Sequence, residues 1–254
     1  MTVTFESRDH IAILTLDRPE ARNAVNGAVA SGMEAALDRY EEDDSLWAAV
    51  LRNNGPVFSA GADLKEIAAG NAASLSTPKG GFAGIVQRER TKPLIAAVGG
   101  PALAGGCEIA LACDLLVVSQ EAYFGLPEVK RALLAVAGGL FRLPRAIGMA
   151  PAMEVILTGA PLPASRAYEL GMVNRVVEPN GVFDEALALA ETIASNAPLA
   201  VQASRNLAAR AFIDDDATLW SDGFRAFQKN IQTEDSREGP RAFIEKRKPE
   251  WKAR

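Results

Sequence analysis

The feature that most restricts the fold is a repeated switch, in the first half of the chain, between strand-length apolar runs and stretches with helical spacing. Residues 2–7 and 11–16 alternate or run apolar on either side of Arg8-Asp9, which reads as a β-hairpin. Asp17-Arg18-Pro19 breaks that pattern. Asn26 stands where a helix needs an N-cap, and Val29, Met33, Ala36 and Leu37 share one face of a helix running to about Tyr40. Residues 46–51, 94–98 and 114–119 form three further strand-length runs, the second entered through Pro93. Helical segments between strands act as crossover connections, so the expected class is α/β.

After about residue 140 the strand signal fades. Residues 150–157, 164–170, 182–196, 199–209 and 217–229 read as helices, and Thr233-Glu234-Asp235 with Glu238 has the form of a capping arrangement opening another. Residues 68–80, rich in Ala, Gly and Ser with Pro78, read as a mobile loop.

Composition narrows the chemistry. The 254 residues are 48% hydrophobic and 23% charged, enough for one substantial core and against global disorder. A net charge of −5 leaves no electrostatic footprint for nucleic acid. The first ten residues lack the basic-then-apolar pattern of a signal peptide, and the uncharged run at 93–107 is too short and too interrupted to span a bilayer. A cytoplasmic protein without a membrane segment is expected. Cys107 and Cys113 share one apolar segment and read as buried thiols, not a disulfide. The single histidine, His10, falls in the N-terminal hairpin, which leaves no Ser–His–Asp triad across a sheet and no multi-histidine metal site.

Three segments carry possible chemistry. Phe58-Ser59-Ala60-Gly61-Ala62-Asp63-Leu64 follows a strand, and its small residues let a ligand approach the backbone, although such a segment also serves as a plain strand-to-helix turn. Ala102-Leu103-Ala104-Gly105-Gly106-Cys107-Glu108-Ile109-Ala110 places paired glycines at a helix N-terminus, where free N–H groups and the helix dipole favour developing negative charge. It matches neither G-x-G-x-x-G nor a P-loop. Glu108 sits in the first turn of that apolar helix; an acid there suits the dipole, yet a carboxylate among Cys107, Ile109 and Ala110 is unusual outside functional sites. In Tyr123-Phe124-Gly125-Leu126-Pro127-Glu128 the proline stiffens the approach to Glu128; a loop glutamate is ordinarily solvated, and this one gains meaning from a partner in Glu108. The later Gly138-Gly139 run, leading into Leu140 and Phe141, can bring another helix N-terminus nearby.

These segments, in this order, closely resemble the crotonase superfamily, the enoyl-CoA hydratase/isomerase family. Its A-G-A-D-(L/I)-K-E stretch corresponds to Ala60 through Glu66, its G-G-x-E-(L/I)-A to Gly105 through Ala110, and its F-G-x-P-E to Phe124 through Glu128. Asp17-Arg18-Pro19 with Asn23-Ala24, and Glu238-Gly239, Ala242-Phe243 and Glu245-Lys246-Arg247, extend the likeness over essentially the whole chain. The resemblance implies a crotonase-like spiral of ββα units over residues 1–195. Residues 196–254 would form a C-terminal helical region for site closure and assembly into a homotrimer or a hexamer. It also implies an oxyanion hole of two backbone N–H groups, at Ala62 and Gly105, and proton transfer by Glu108 and Glu128. Coenzyme A would lie along Arg22 to Ala24 and along Ala60, Asp63 and Leu64, with Lys65 near its phosphates and Lys246 contributed by a neighbouring subunit. No metal and no cofactor separate from the coenzyme A of the substrate is implied.

The reaction so implied is hydration of a 2-enoyl-CoA thioester. Two N–H donors stabilise the enolate oxygen, one carboxyl activates water and the other protonates the alpha carbon, and the two titrate as a pair. Glu128 is assigned to the alpha carbon and Glu108 to the water. Departures from the pattern are Val136 where a glycine is common, Lys130-Arg131 where apolar residues are common, and Ala104 in place of the first of three glycines. Two alternatives stand beside hydration: isomerisation or dehydration of another acyl-CoA on the same donors, and a non-catalytic acyl-CoA-binding paralogue. Retention of both glutamates favours hydration.

Overall fold

The computed structural model describes residues 2–254. Its main sheet has six strands: β1 (Val3–Arg8), β2 (Ile11–Leu16), β3 (Ala48–Asn53), β6 (Leu94–Val98), β8 (Leu115–Ser119) and β11 (Arg175–Val177), adjacent in that order. Only β1 and β2 pair antiparallel; the rest run parallel. β4 (Ser76–Thr77) and β5 (Gly81–Phe82) form a short hairpin, and β7 (Ala102–Leu103), β9 (Tyr123–Gly125) and β10 (Leu162–Pro163) form a second sheet. The helices are α1 (Gly27–Glu42), α2 (Leu64–Ala68), α3 (Gly105–Leu111), α4 (Gly139–Ile147), α5 (Met149–Thr158), α6 (Ala164–Glu169), α7 (Val182–Ala194), α8 (Pro198–Ala208), α9 (Asp216–Asn230) and α10 (Asp235–Glu245). Among the described residues no helix is long and apolar enough to cross a membrane.

The strands read as near-continuous apolar runs because both faces of the sheet are covered. Ala49 and Leu51 on β3, Leu94, Ala96 and Val98 on β6, and Leu116 and Val118 on β8 enter the principal core. The alternate residues Val50, Ile95, Ala97 and Val117 meet Val182, Ala186, Leu187 and Ala190 of α7 on the other side. Each fully buried aliphatic side chain here contributes roughly 1.5–3 kcal/mol. The Asn26 side chain accepts the Val29 N–H at 3.0 Å and starts α1 as expected. Val29, Met33, Ala36, Leu37 and Tyr40 of α1 are buried, and the Tyr40 hydroxyl donates to the Pro93 carbonyl.

The path between the two sheets repeats. After β2 the chain reaches Val25, which bridges Ala62; after β3 it reaches Ser59, which bridges Ala102; after β6 comes β7, and after β8 comes β9. Each turn thus lays one strand on the main sheet and one segment on the second, which is the expected spiral.

Several expectations need correction. β3 begins two residues later than the apolar run at 46–51: Trp47 N–H donates to the His10 carbonyl, and pairing with β2 starts at Ala48, opposite Ile11. Strand structure does not end near residue 140: β11 closes the main sheet, fixed by Asn174, whose side-chain oxygen accepts the Leu116 N–H. The stretch 68–80 is held in place: Leu75 is buried, and Glu34 of α1 accepts from Gly80 N–H and Thr77 hydroxyl.

The C-terminal helices sit against the core through few, specific contacts. Arg205 of α8 donates twice to Asp114, at 3.0 and 2.8 Å. Buried Asp235 accepts the N–H groups of Lys252 and Ala253, and the Trp251 indole donates to Ser195 O. Thr233 caps α10 by accepting from Ser236 N–H, whereas Glu238 is not part of a capping box; it pairs with Arg247 and receives Glu250 N–H. Trp220, Phe224 and Phe227 of α9 and Phe243 and Ile244 of α10 remain exposed in the single chain.

Candidate active site

The site begins with a weld between two loops. Asn23 is buried at a positive φ of 52°, and its amide donates to Asn54 O (2.9 Å) and Val57 O (2.8 Å) while accepting Arg18 N–H (2.8 Å). The Ser59 hydroxyl donates to Asn23 O. Arg18 reaches across to the Ala24 carbonyl at 3.0 Å and to Asp63 Oδ2 at 2.7 Å. The Arg18 guanidinium holds the Asp63 carboxyl below its ordinary value, and the same carboxylate caps α2 by accepting Lys65 N–H. Residues 17–24 and 57–63 are therefore joined by one hydrogen-bonded network.

That network meets the start of α3. Both Ala62 and Gly105 lie three residues beyond the bridged pair Ser59 and Ala102. Gly61, at φ +85°, packs so closely on α3 that a Cβ there would stand 2.8 Å from the Gly105 nitrogen. Gly106 is equally confined, since its Cβ would fall 2.1 Å from Ser59 O. The Ala62 N–H and the Gly105 N–H donate to no acceptor among the described residues. For Gly105 this follows from its place as the first helical residue. For Ala62 it follows from the parallel bridge, which uses Gly61 O and Asp63 N–H on either side of it. Ala104, immediately before the helix, takes φ 51° and ψ −127°, a conformation suited to glycine.

One turn into α3, the Glu108 side chain is turned into the interior, and the residue is only 3% exposed. Its Oε1 accepts the Gly139 N–H at 2.9 Å, across from the first residue of α4. Burial raises this carboxyl to about 7; the Gly139 N–H opposes the rise, the charge of Glu128 adds to it, and Ala137 and Arg142 oppose it. Glu128 lies in the single-turn helix Pro127–Arg131. Burial raises it above its ordinary value as well, and its Oε2 is buried with no hydrogen-bond partner among the described residues. That turn is anchored by Lys130, whose ammonium donates to Gly159 O at 2.8 Å. Lys130 thus acts as a brace for the Glu128 turn, and Arg131 is exposed.

The structure brings Ala62, Gly105 and Glu108 together through the 61–105 contact and the first turn of α3, with Glu128 near enough to act on Glu108. Arg22 is exposed and its carbonyl accepts Ala60 N–H; Ala24 is buried; Leu64 and Lys65 are exposed on α2 beside buried Asp63. Lys246 ends α10 at φ 53° and shares no hydrogen bond or ion pair with these residues among those described. Val136 is 74% exposed, with Leu133 and Leu134, on the loop joining the Glu128 turn to Gly139. Burial pushes the Cys113 thiol up to about 12 and raises that of Cys107, so neither is a ready nucleophile. No group of three His, Cys, Asp or Glu side chains suited to a metal occurs among the described residues. The Gly138-Gly139 pair does bring a helix N-terminus to the acids, through the Gly139 N–H on Glu108, whereas sequence reasoning passed over Arg18 and Asn23 as the weld, whose signal was the Arg18-Pro19 to Asn23 spacing.

A family model described as enoyl-CoA hydratase/isomerase matches residues 6–254. The chain belongs to that family. A probable enoyl-CoA hydratase of Rhizobium meliloti strain 1021 is 39% identical, covering 100% of this chain and 98% of the relative. A mevalonyl-coenzyme A hydratase of Aspergillus fumigatus is 38% identical over 96% of this chain and 92% of its own. Among solved structures, an enoyl-CoA hydratase from Mycobacterium tuberculosis H37Rv superposes with a TM-score of 0.96 at 45% identity, covering 100% and 99% of the two chains. This member of the family therefore has the crotonase fold, with the helical C-terminal region in place.

Proposed function

We propose that this family member is an enoyl-CoA hydratase, adding water across the double bond of a 2-enoyl-CoA thioester. The observation that carries the reading is the meeting of two undonated N–H groups, at Ala62 and Gly105, beside a buried carboxyl at Glu108 raised to about 7. In this reading the thioester oxygen accepts both N–H groups, and each donor is worth roughly 3 kcal/mol to the enolate-like transition state. Glu108, anchored by Gly139, takes a proton from water as the water oxygen bonds to the beta carbon. Glu128, whose free Oε2 is uncommitted, gives its proton to the alpha carbon, and the carbon–carbon double bond becomes single. Retention of two raised carboxyls supports hydration over a simple double-bond shift, for which one suffices.

Coenzyme A is assigned to the edge formed by Arg22, Ala24, Ala60, Asp63 and Leu64. Asp63 serves there through its backbone, because its carboxylate is held by Arg18 and α2. Lys65 is placed near the phosphates, and Lys246 is assigned to a neighbouring subunit's site. The exposed aromatic residues of α9 and α10 fit burial in a homotrimer or hexamer. Residues 196–254 are the assembly region in this reading, residues 1–195 the catalytic core, and the cytoplasm its location.

The test is loss of the conjugated thioester absorbance of crotonyl-CoA and longer enoyl-CoA esters. Glu128→Gln is expected to lower turnover by about 10²–10⁴-fold while leaving calorimetric binding of butyryl-CoA nearly intact. Wild-type turnover in that variant would remove the proton-transfer assignment, and inertness of the wild type toward every enoyl-CoA would remove the hydratase reading.

A further inference from the structure

Arg142, in the first turn of α4, is a half-buried cation that the proton-transfer scheme leaves unused. Its guanidinium donates to two carbonyls, Ala137 O at 3.3 Å and Val86 O at 2.5 Å. It lies directly over Gly138, where φ is +114° and an added Cβ would stand 2.3 Å from a terminal nitrogen. The turn it grips ends in Gly139, whose N–H donates to Glu108 Oε1. One side chain therefore ties the segment after β5 to the turn that holds the buried carboxyl.

We propose that Arg142 is a positioning residue for Glu108: by spanning two carbonyls it fixes the 137–139 turn, and with it the Gly139 N–H that orients the carboxylate. Its charge also acts on that carboxylate. Glu108 is faced by Glu128 from the Pro127–Arg131 turn and by Arg142 from α4; Arg142 is itself faced by Arg90 from the segment before β6, by Cys113 after α3 and by Arg145 on its own helix. A lysine keeps the charge but cannot span both carbonyls, and a glutamine loses the charge. The catalytic consequence rests on the hydratase reading; the placement of the carboxyl does not.

The experiment compares Arg142→Lys and Arg142→Gln with wild type in two independent readouts. Crotonyl-CoA hydration is expected to lose about 10²-fold in kcat in both variants with KM changed little, as for a misplaced group. A ¹³C-carboxyl NMR titration, with Glu108 assigned through Glu108→Gln, is expected to move upward in both variants, and further in the glutamine variant, which loses the cation as well as the Gly139 bond. In both, the Gly139 amide proton should lose the shift that marks its bond to Glu108. Wild-type kcat together with an unmoved Gly139 amide would overturn the proposal, as would full rescue by lysine, which would leave charge alone. If the glutamine variant does not fold, the lysine variant and its Gly139 amide decide. If the wild type hydrates nothing, the hydratase reading fails while the amide readout still judges the positioning role.

Discussion

Replacing Glu108 by glutamine should make the protein more stable at alkaline pH while disabling it. Burial lifts the Glu108 carboxyl from its ordinary 4.5 to about 7. An acid whose folded value is raised contributes stability below the unfolded value and loses it as pH climbs through the folded one. The window here runs from about pH 4.5 to about pH 7, and the loss by pH 8 amounts to about 3 kcal/mol at 1.36 kcal/mol per unit. Glutamine imitates the protonated acid and can still accept the Gly139 N–H through its oxygen. At pH 8 the variant should therefore unfold about 6–12 °C above wild type, given roughly 2–4 °C per kcal/mol for a chain of this size. At pH 5 the two should nearly coincide. Scanning calorimetry at pH 5, 6, 7 and 8 checks this. A variant less stable than wild type at pH 8, or a gap that does not change with pH, would refute the claim that Glu108 is held ionised at a cost.

Three further outcomes are expected. Gly106→Ala drives a Cβ to 2.1 Å from the Ser59 carbonyl, and overpacking against backbone should cost roughly 2–3 kcal/mol, read as a lower urea midpoint with unchanged slope. Ala104→Gly relieves the φ 51°, ψ −127° conformation and should stabilise the chain by about 1 kcal/mol in the same assay, with no loss of kcat. Asn23→Ala leaves the Asn54 carbonyl without its side-chain donor, the Arg18 N–H without its acceptor and the Val57 carbonyl with only the longer Asn53 bond, and should cost about 2–3 kcal/mol, with faster amide hydrogen exchange across residues 57–63 as its local signature.

Much of the fold was legible where a local pattern has one dominant cause. Asn26 marks the start of α1 because an unsatisfied helix N-terminus needs an acceptor, and the long apolar strands show themselves by length. Residues 175–177 give no such sign: three residues contain no measurable period, and their membership in the sheet depends on Asn174 and on pairing with β8, far back along the chain. The first acid, Glu108, was legible as an anomaly among apolar neighbours. Its partner was legible only in outline: the paired glycines mark a helix N-terminus, but which backbone N–H meets the acid thirty-one residues away leaves no side-chain trace. Thr233 and Glu238 show the reverse case, in which a capping pattern was present but the acid was claimed by Arg247 and the C-terminal tail.

The bridge between Ser59 and Ala102 has a consequence for how such a chain can change. Positions 62 and 105 sit at equal offsets from a bridged pair of backbones about 4.8 Å apart, so the placement of their amides depends on the number of residues that follow the bridge on each side. Replacing side chains outside the close contacts of Gly61 and Gly106 leaves that spacing untouched. Inserting or deleting a single residue between 59 and 62, or between 102 and 105, shifts one amide against the other. Diversification by substitution around the carboxyls is open to this architecture, whereas changes of length in those two short spans are closed to it.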